Sequence, residues 1–237
     1  MKQETSMPET LVERRIKAAE SSGGTSSGPI LDAALLAFKG LQIKGDLLEF
    51  GAGTGELLLQ LRSEGYPGKM TGADLLPRPE RLPEDIGWGQ VDLNHPLSFP
   101  DESFDVIIST EVVEHLENPR FMAREFWRLL RPFGAVVLTT PNQESIRSLL
   151  ALLFSGHYVA FQDSCYPAHI TALLRKDLQR MFREAGFGHA AFSFTNHGYV
   201  PKLTHWTFQQ ISFGLLKGRW FSDNLVMILT KPPIRPA

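Results

Sequence analysis

Three glycines at alternate positions, Gly51, Gly53 and Gly55, follow directly on the apolar run 46–50, and an acid, Glu49, stands at their entrance. Glycines spaced in this way let the chain turn sharply, admit positive φ and bring backbone against a ligand with no Cβ in between. The helix that follows points its positive end at the same place. Such a turn suits a nucleotide-type ligand, with Phe50 and Ala52 completing the binding segment. The spacing is G-x-G-x-G, however, and the dinucleotide pattern places its third glycine one residue later. A carboxylate just before the turn would also repel a pyrophosphate and attract a cation, and charges inside a cleft interact far more strongly than on a surface.

Two further acids close apolar runs. Asp74 ends a run over 69–75, beside Leu75, and is placed to accept hydrogen bonds from both hydroxyls of a ribose. Asp92, in Val91-Asp92-Leu93-Asn94, ends a run near 88–93 and could accept from an adenine amino group, with Leu93 covering the ring. Thr110 and Glu111 follow a fourth run and should border the same crevice. Glu111, Glu114 and His115 stand at i, i+3 and i+4, one face if the segment is helical, while His169 comes much later. His115 could serve as a general base, since an unperturbed imidazole titrates near neutrality. It reads equally well as a structural histidine capping a short helix. Two carboxylates and two imidazoles could also hold Mg²⁺, Mn²⁺ or Zn²⁺. The expectation adopted is that no metal is bound.

The elements that must position these residues read as repeated β-α units. A helix over 30–38 precedes the strand 46–50, and leucines at helical spacing over 56–62 follow the glycines. The run 104–109 is β-branched and reads as a buried parallel strand. Asn118-Pro119 offers an N-cap with proline at the first helical position, and the apolar face of Met122, Phe126, Leu129 and Leu130 continues until Pro132 and Gly134. Strands are expected over 135–140, 187–195 and 224–230, with a helix over 176–185 stopped by Gly186. This alternation predicts a doubly wound α/β sheet with its ligand at the carboxyl edge.

A chain of 237 residues, 43% hydrophobic and 21% charged, suits one α/β domain. The stretch SSGGTSSG at 21–28 reads as a linker, so 1–28 is expected to be a flexible leader and 29–233 the folded domain. A net charge of −2 supplies no field for long phosphate backbones and argues against a nucleic-acid substrate. Cys165 is the only cysteine, so no internal disulfide can form, and a cytoplasmic setting is expected. No apolar run reaches the roughly 20 residues that span a bilayer, which leaves peripheral membrane contact open.

The series Leu47 to Gly55, then Asp74, Asp92, Phe104-Asp105-Val106-Ile107 and Glu111-Val112-Val113-Glu114-His115-Leu116, resembles the class I S-adenosylmethionine-dependent methyltransferases, in particular the type 11 and type 23 groups. The resemblance runs from about Gly45 to Phe187. It implies a Rossmann-like, mostly parallel seven-stranded sheet with an antiparallel last strand, and S-adenosyl-L-methionine as cofactor. It also implies that Gly51 and Gly53 hold the methionine part, Asp74 the ribose and Asp92 the adenine. The set Glu111, Glu114, His115 and His169 is similar to the metal site of the small-RNA 2′-O-methyltransferases, which keeps a metal-dependent RNA enzyme as an alternative, beside a non-catalytic cofactor-binding relative. The acceptor expected is a small molecule, a glycan or a lipid-linked group, with O-methylation preferred. The segments 142–170 and 197–222 are expected to be acceptor-side insertions, the first with an apolar helical face (Ile146, Leu149, Leu150, Leu153, Phe154) and the second with the start of another (Leu203, Trp206, Ile211). Both faces read more readily as core or dimer surface than as membrane contact.

Overall fold

The computed structural model describes residues 11–21 and 23–233. Helices α1 (Leu11–Ser21) and α2 (Gly28–Leu41) precede β1 (Leu47–Phe50), α3 (Glu56–Ser63), β2 (Met70–Asp74), β3 (Gly87–Gln90) and β4 (Phe104–Thr110). Next come α4 (Pro119–Leu129), β5 (Leu130–Pro141), α5 (Ile146–Ser155), α6 (Arg175–Ala185) and β6 (Ala191–Phe194). The chain continues through β7 (Tyr199–Val200), β8 (Leu203–Thr207), α7 (Phe208–Ile211) and β9 (Asn224–Thr230). Seven strands form one sheet in the order β3-β2-β1-β4-β5-β9-β6, while β7 and β8 pair separately as a hairpin.

The strands β3 to β5 pair in parallel; β9 runs antiparallel to both β5 and β6. The sheet is therefore the doubly wound, mostly parallel one expected, with its antiparallel strand last in sequence. Both faces are covered. Leu48, Phe50, Ile107 and Val136 face Phe126 and Phe182, while Leu47, Val106, Ile108 and Val137 pack with Leu35, Phe38 and Leu57. Central parallel strands buried on two sides must be apolar at nearly every position, which is why β1 and β4 read as continuous runs.

The helix signals worked through specific bonds. The Asn118 side chain accepts from the Phe121 N–H at 3.0 Å and caps α4, with Pro119 at its first position. Helix α6 starts at Arg175, behind Leu174, which has no oxygen to cap with; the Asp177 carboxylate reaches back to the Leu174 N–H at 3.4 Å instead.

Four local expectations need correction. The leader is not simply flexible: α1 occupies 11–21, and Arg15 bonds with Asp92 and Glu117. The strand near 88–93 ends at Gln90, so Asp92 lies in the loop beyond it. Glu111, Glu114 and His115 do not share a helix face, because Glu111 takes a left-handed φ of 55° and only 113–115 form a single 3-10 turn. Leu203 and Trp206 belong to β8 rather than to a helix.

Candidate functional site

β1 lies between β2 and β4, with Leu47 opposite both Met70 and Val106, so the carboxyl ends of the three strands meet at one edge. Glu49, Asp74 and Thr110 all stand there. Together with Gly51, Ala52, Gly53, Leu75, Asp92, Leu93, Glu111 and His115 they line a cavity of about 440 Å³. That volume lies within the range of small-molecule pockets. Phe50 is the exception among the expected binding residues. Successive strand residues face opposite ways, so Phe50 turns into the core, its ring edge-on to Phe126 at 4.9 Å, while Glu49 faces the cavity.

The glycine turn behaves differently from a phosphate cradle. Gly51, Gly53 and Gly55 all adopt positive φ, and a Cβ on Gly53 would lie 2.0 Å from the Gly24 carbonyl oxygen. Yet each N–H from Gly51 to Gly55 is already used within the fold. Those of Gly51 and Ala52 reach the Ala73 carbonyl, that of Gly53 the Asp74 carboxylate, that of Thr54 the Gly24 carbonyl and that of Gly55 the Ala52 carbonyl. An anion would find no spare donors here. What the turn presents instead is Glu49, which is 3% exposed and has one carboxylate oxygen without a partner. Burial, reinforced by the charge of Asp74, holds its pKa well above the ordinary carboxylate range. A cationic ligand group would relieve both penalties. The residues therefore fit the ammonium-bearing methionine end of S-adenosylmethionine and do not fit a pyrophosphate.

Asp74 accepts from Gly53 N–H at 2.7 Å and from Leu76 N–H at 2.8 Å, which ties the glycine turn to the end of β2. Burial raises its pKa against these bonds. At Asp92 burial also pushes upward, but bonds from the Asn94 backbone and side chain and from Arg15 prevail, and the pKa is lowered. Arg15 and the 24–27 stretch line the cavity as well, so the glycine-serine run read as a linker forms part of the wall. Its signal was Gly24, whose carbonyl meets Gly53 at a distance only a glycine permits.

Beyond β4 the chain buries one carboxylate, Glu114, and half-buries a second, Glu111, with the imidazoles of His115 and His169. Glu111 accepts from Thr139 Oγ1 at 2.9 Å and from Asn224 Nδ2 at 2.7 Å. Burial, with the charge of Glu114 added, raises its pKa well above the ordinary value. Glu114 accepts from Thr140 Oγ1 at 3.0 Å through one oxygen, and its other oxygen has no partner. Burial pushes its pKa up to about 7. The Ile170 and Thr171 N–H groups both bond to the Glu114 carbonyl, which brings the distant His169 beside His115 with ring centroids 4.7 Å apart.

His115 Nδ1 lies 2.8 Å from the Ala168 carbonyl, and His169 Nδ1 lies 2.7 Å from that of Ala160. A carbonyl only accepts, so in both rings Nδ1 carries the hydrogen and, in the neutral form, Nε2 keeps a lone pair. Burial lowers both pKa values, and the neighbouring His115 adds to the effect on His169. Ligand atoms of Glu114, His115 and His169 lie within 4.8 Å of one another.

A second cavity of about 430 Å³ adjoins the first and shares Glu111 and His169 with it. Its remaining wall carries the polar side chains of Arg147, His197, Tyr199 and Asn224, between which carbon atoms, including those of Pro29, Pro141 and Val159, supply the larger share of the surface. Much of this wall belongs to the segments 142–170 and 197–222 expected on the acceptor side; apart from Glu111 and His169 no local motif marks its residues, because they come from five separate stretches of chain.

Comparison with known proteins gives the family and the cofactor. Residues 27–189 match a family model described as a methyltransferase domain. A ubiquinone biosynthesis O-methyltransferase of Roseobacter denitrificans is 26% identical over 202 residues, covering 82% of this chain and 75% of that protein. A ubiquinone/menaquinone biosynthesis C-methyltransferase of Bdellovibrio bacteriovorus is 28% identical over 120 residues, 47% of this chain and 51% of its own length, so the chain spans about half of that relative. Among solved structures, the Burkholderia thailandensis 1,6-didemethyltoxoflavin-N1-methyltransferase, with 1,6-didemethyltoxoflavin and S-adenosylhomocysteine bound, superimposes with a TM-score of 0.61 at 15% identity, covering 96% of this chain and 93% of that one. A possible histamine N-methyltransferase of Thermotoga maritima superimposes with a TM-score of 0.60 at 18% identity, covering 92% and 93%. With the sheet order, the glycine turn and a family match spanning more than half of the chain, this protein belongs to the S-adenosylmethionine-dependent class I methyltransferases.

Proposed function

We propose that the chain transfers a methyl group to a hydroxyl of an acceptor seated in the second cavity. The observation that carries this reading is the shared wall: Glu111 and His169 border both a cavity built for a cationic nucleoside and a second one beside it. S-Adenosylmethionine, when bound, supplies a methyl group already activated on sulfonium sulfur. Glu49 balances the charge of its methionine end, Asp74 accepts from the ribose, and Asp92 and Leu93 receive the adenine, with Leu75 and Thr110 completing the wall. The segments 142–170 and 197–222 position the acceptor, and orientation supplies most of the rate. His115, neutral near pH 7 with a lone pair on Nε2, takes the proton that a hydroxyl acceptor must lose. The Arg147, His197, Tyr199 and Asn224 side chains on the wall of the second cavity suit a hydroxylated small molecule or the head of a glycan- or lipid-linked acceptor, and the carbon surface between them accommodates an apolar part of it. Release of S-adenosylhomocysteine from S-adenosylmethionine with a panel of catechols, hydroquinones and sugars tests the reading. Binding of the cofactor with no turnover on any acceptor, including a metabolite extract, would leave a non-catalytic binding protein.

A second reading is favoured by the convergence of Glu114, His115 and His169: their ligand atoms lie within 4.8 Å of one another and the Glu114 carboxylate keeps one oxygen unpartnered, as a divalent ion requires. In that arrangement the ion would acidify the acceptor oxygen. Glu111, the fourth member of the set, is committed to Thr139 and Asn224. The two readings part on chelation. Metal-free transfer survives EDTA, whereas activity lost to EDTA and restored by one divalent ion establishes the second.

A further inference from the structure

The two segments beside the second cavity share an unusual composition. Residues 145–162 and 197–222 contain Arg147, Lys202, Lys217 and Arg219 and no acid, the nearest in sequence being Glu144, Asp163 and Asp223 at their bounds, although the chain as a whole has a net charge of −2. They adjoin in space, since α5 packs against the turn 219–221 and Arg147 lies over the Tyr199 ring at 5.6 Å. Arg147 and Arg219 are paired with Asp223 and Glu144, whereas Lys202 and Lys217 are exposed and make no ion pair among the described residues.

The same segments expose large apolar side chains. Leu153, Phe154, Leu203 and Trp206 project from α5 and β8, and the loop after α7 carries Phe213 at 96% exposure and Leu215 at 85%. Phe213 also has a left-handed φ of 51°, a conformation unfavourable for a bulky side chain, and its ring gains almost no burial within this chain to offset it. Soluble surfaces rarely gather exposed apolar groups of this size without a partner. A second copy of the chain would bring Lys202 and Lys217 towards a face whose acids Glu144 and Asp223 are already paired with Arg219 and Arg147. Aromatic and aliphatic side chains flanked by lysines match the boundary between acyl chains and anionic headgroups.

We infer that the face formed by α5, the β7–β8 hairpin and the 212–218 loop docks on an anionic lipid bilayer, with Phe213 and Leu215 inserted and Lys202 and Lys217 at the headgroups. The surface borders the second cavity, so docking would present that cavity to a membrane-borne acceptor. The inference does not depend on the methyl-transfer reading, because its test contains neither donor nor acceptor.

Sedimentation of the full chain with vesicles of phosphatidylcholine, with and without about one third phosphatidylglycerol, tests it. The chain should partition onto the mixed vesicles and far less onto pure phosphatidylcholine, and high salt should weaken the binding. Joint replacement Phe213→Ser and Leu215→Ser should reduce partitioning by at least about tenfold, through loss of apolar insertion. Joint replacement Lys202→Glu and Lys217→Glu should remove the preference for anionic vesicles, at about fivefold per lysine lost. All four positions are exposed and lie outside the cofactor cavity, so both variants should keep their circular dichroism and their affinity for S-adenosylhomocysteine. Failure of the native chain to sediment with mixed vesicles, or sedimentation unchanged by both pairs of substitutions, overturns the inference. A dimer in sedimentation velocity that Phe213→Ser and Leu215→Ser dissolve also overturns it, in favour of a second copy on this face.

Discussion

Glu49 is where stability and cofactor binding pull in opposite directions. Its carboxyl ionises near 4.5 in an unfolded chain, but burial and the Asp74 charge raise that value well above it in the fold. The folded state holds the extra proton, so this contribution to stability is full below the ordinary carboxylate range and is lost as pH climbs through the raised folded value. Replacing Glu49 by Gln should therefore raise the melting temperature of the cofactor-free protein at pH 8, more than at pH 5, while weakening S-adenosylmethionine binding in calorimetric titration. A lower melting temperature at pH 8 would show that the carboxylate already has a compensating partner. Asp74 plays a different part, because its two oxygens hold Gly53 and Leu76 as well as facing the cavity. Asp74→Ala removes charge-assisted bonds worth about 1.5–3 kcal/mol, so S-adenosylhomocysteine affinity should fall roughly tenfold or more, measured by titration on a variant shown to be folded. An unchanged dissociation constant would place the ribose elsewhere.

At the scale of elements, α1 walls the cavity with Arg15 and Ala19, and Arg15 ties it to the rest of the fold. Arg15 binds Asp92 on the loop after β3 and Glu117 at 2.8 Å, just ahead of α4, and so joins three parts of the chain over the Asp92 end of the cavity. Arg15→Ala should speed S-adenosylhomocysteine dissociation by roughly tenfold, the equivalent of one charge-assisted bond, with little change in melting temperature. Stopped-flow displacement reads the rate; an unaltered rate would mean that α1 opens independently of the cofactor. This element escaped sequence reading because its apolar face is small and the glycine-serine run behind it reads as a linker. The turn after β4 misled for another reason. Glu111, Glu114 and His115 have helical spacing, but Glu111 enters the left-handed region, its carboxylate bound to Thr139 and Asn224, and the helical register is broken there.

At the scale of the whole molecule, the described fold should respond to the ligand its cavity selects. A ligand that binds only the native state stabilises it by about 2.7 kcal/mol at one hundred times its dissociation constant. S-Adenosylhomocysteine should accordingly raise the melting temperature and NAD should leave it unchanged, as followed by scanning fluorimetry. The turn N–H groups that a pyrophosphate would need are all bonded within the fold. Stabilisation by NAD and none by the sulfur ligand would overturn the cofactor assignment. Among the described residues no helix is long and apolar enough to cross a membrane.

Much of this protein was determined locally and could be read from the sequence alone. Buried parallel strands must be apolar on both faces, a strand-turn-helix that approaches a ligand needs glycine, and helices need caps; each rule acts within a few residues. That is why the sheet, the Gly51–Gly53–Gly55 turn and the Asn118 cap were legible, and with them Glu49, Asp74 and the neighbourhood of Asp92. Tertiary structure decided what depends on contacts between distant segments. It turned Phe50 away from the cavity, set Arg15 on Asp92, brought His169 to His115 through two backbone bonds to Glu114, and built a second cavity from segments with no common motif. The physical reason is that hydrogen-bond satisfaction and burial are properties of the whole packing: a carboxylate or an imidazole acquires its partner, its protonation and its direction only when chain from elsewhere closes over it.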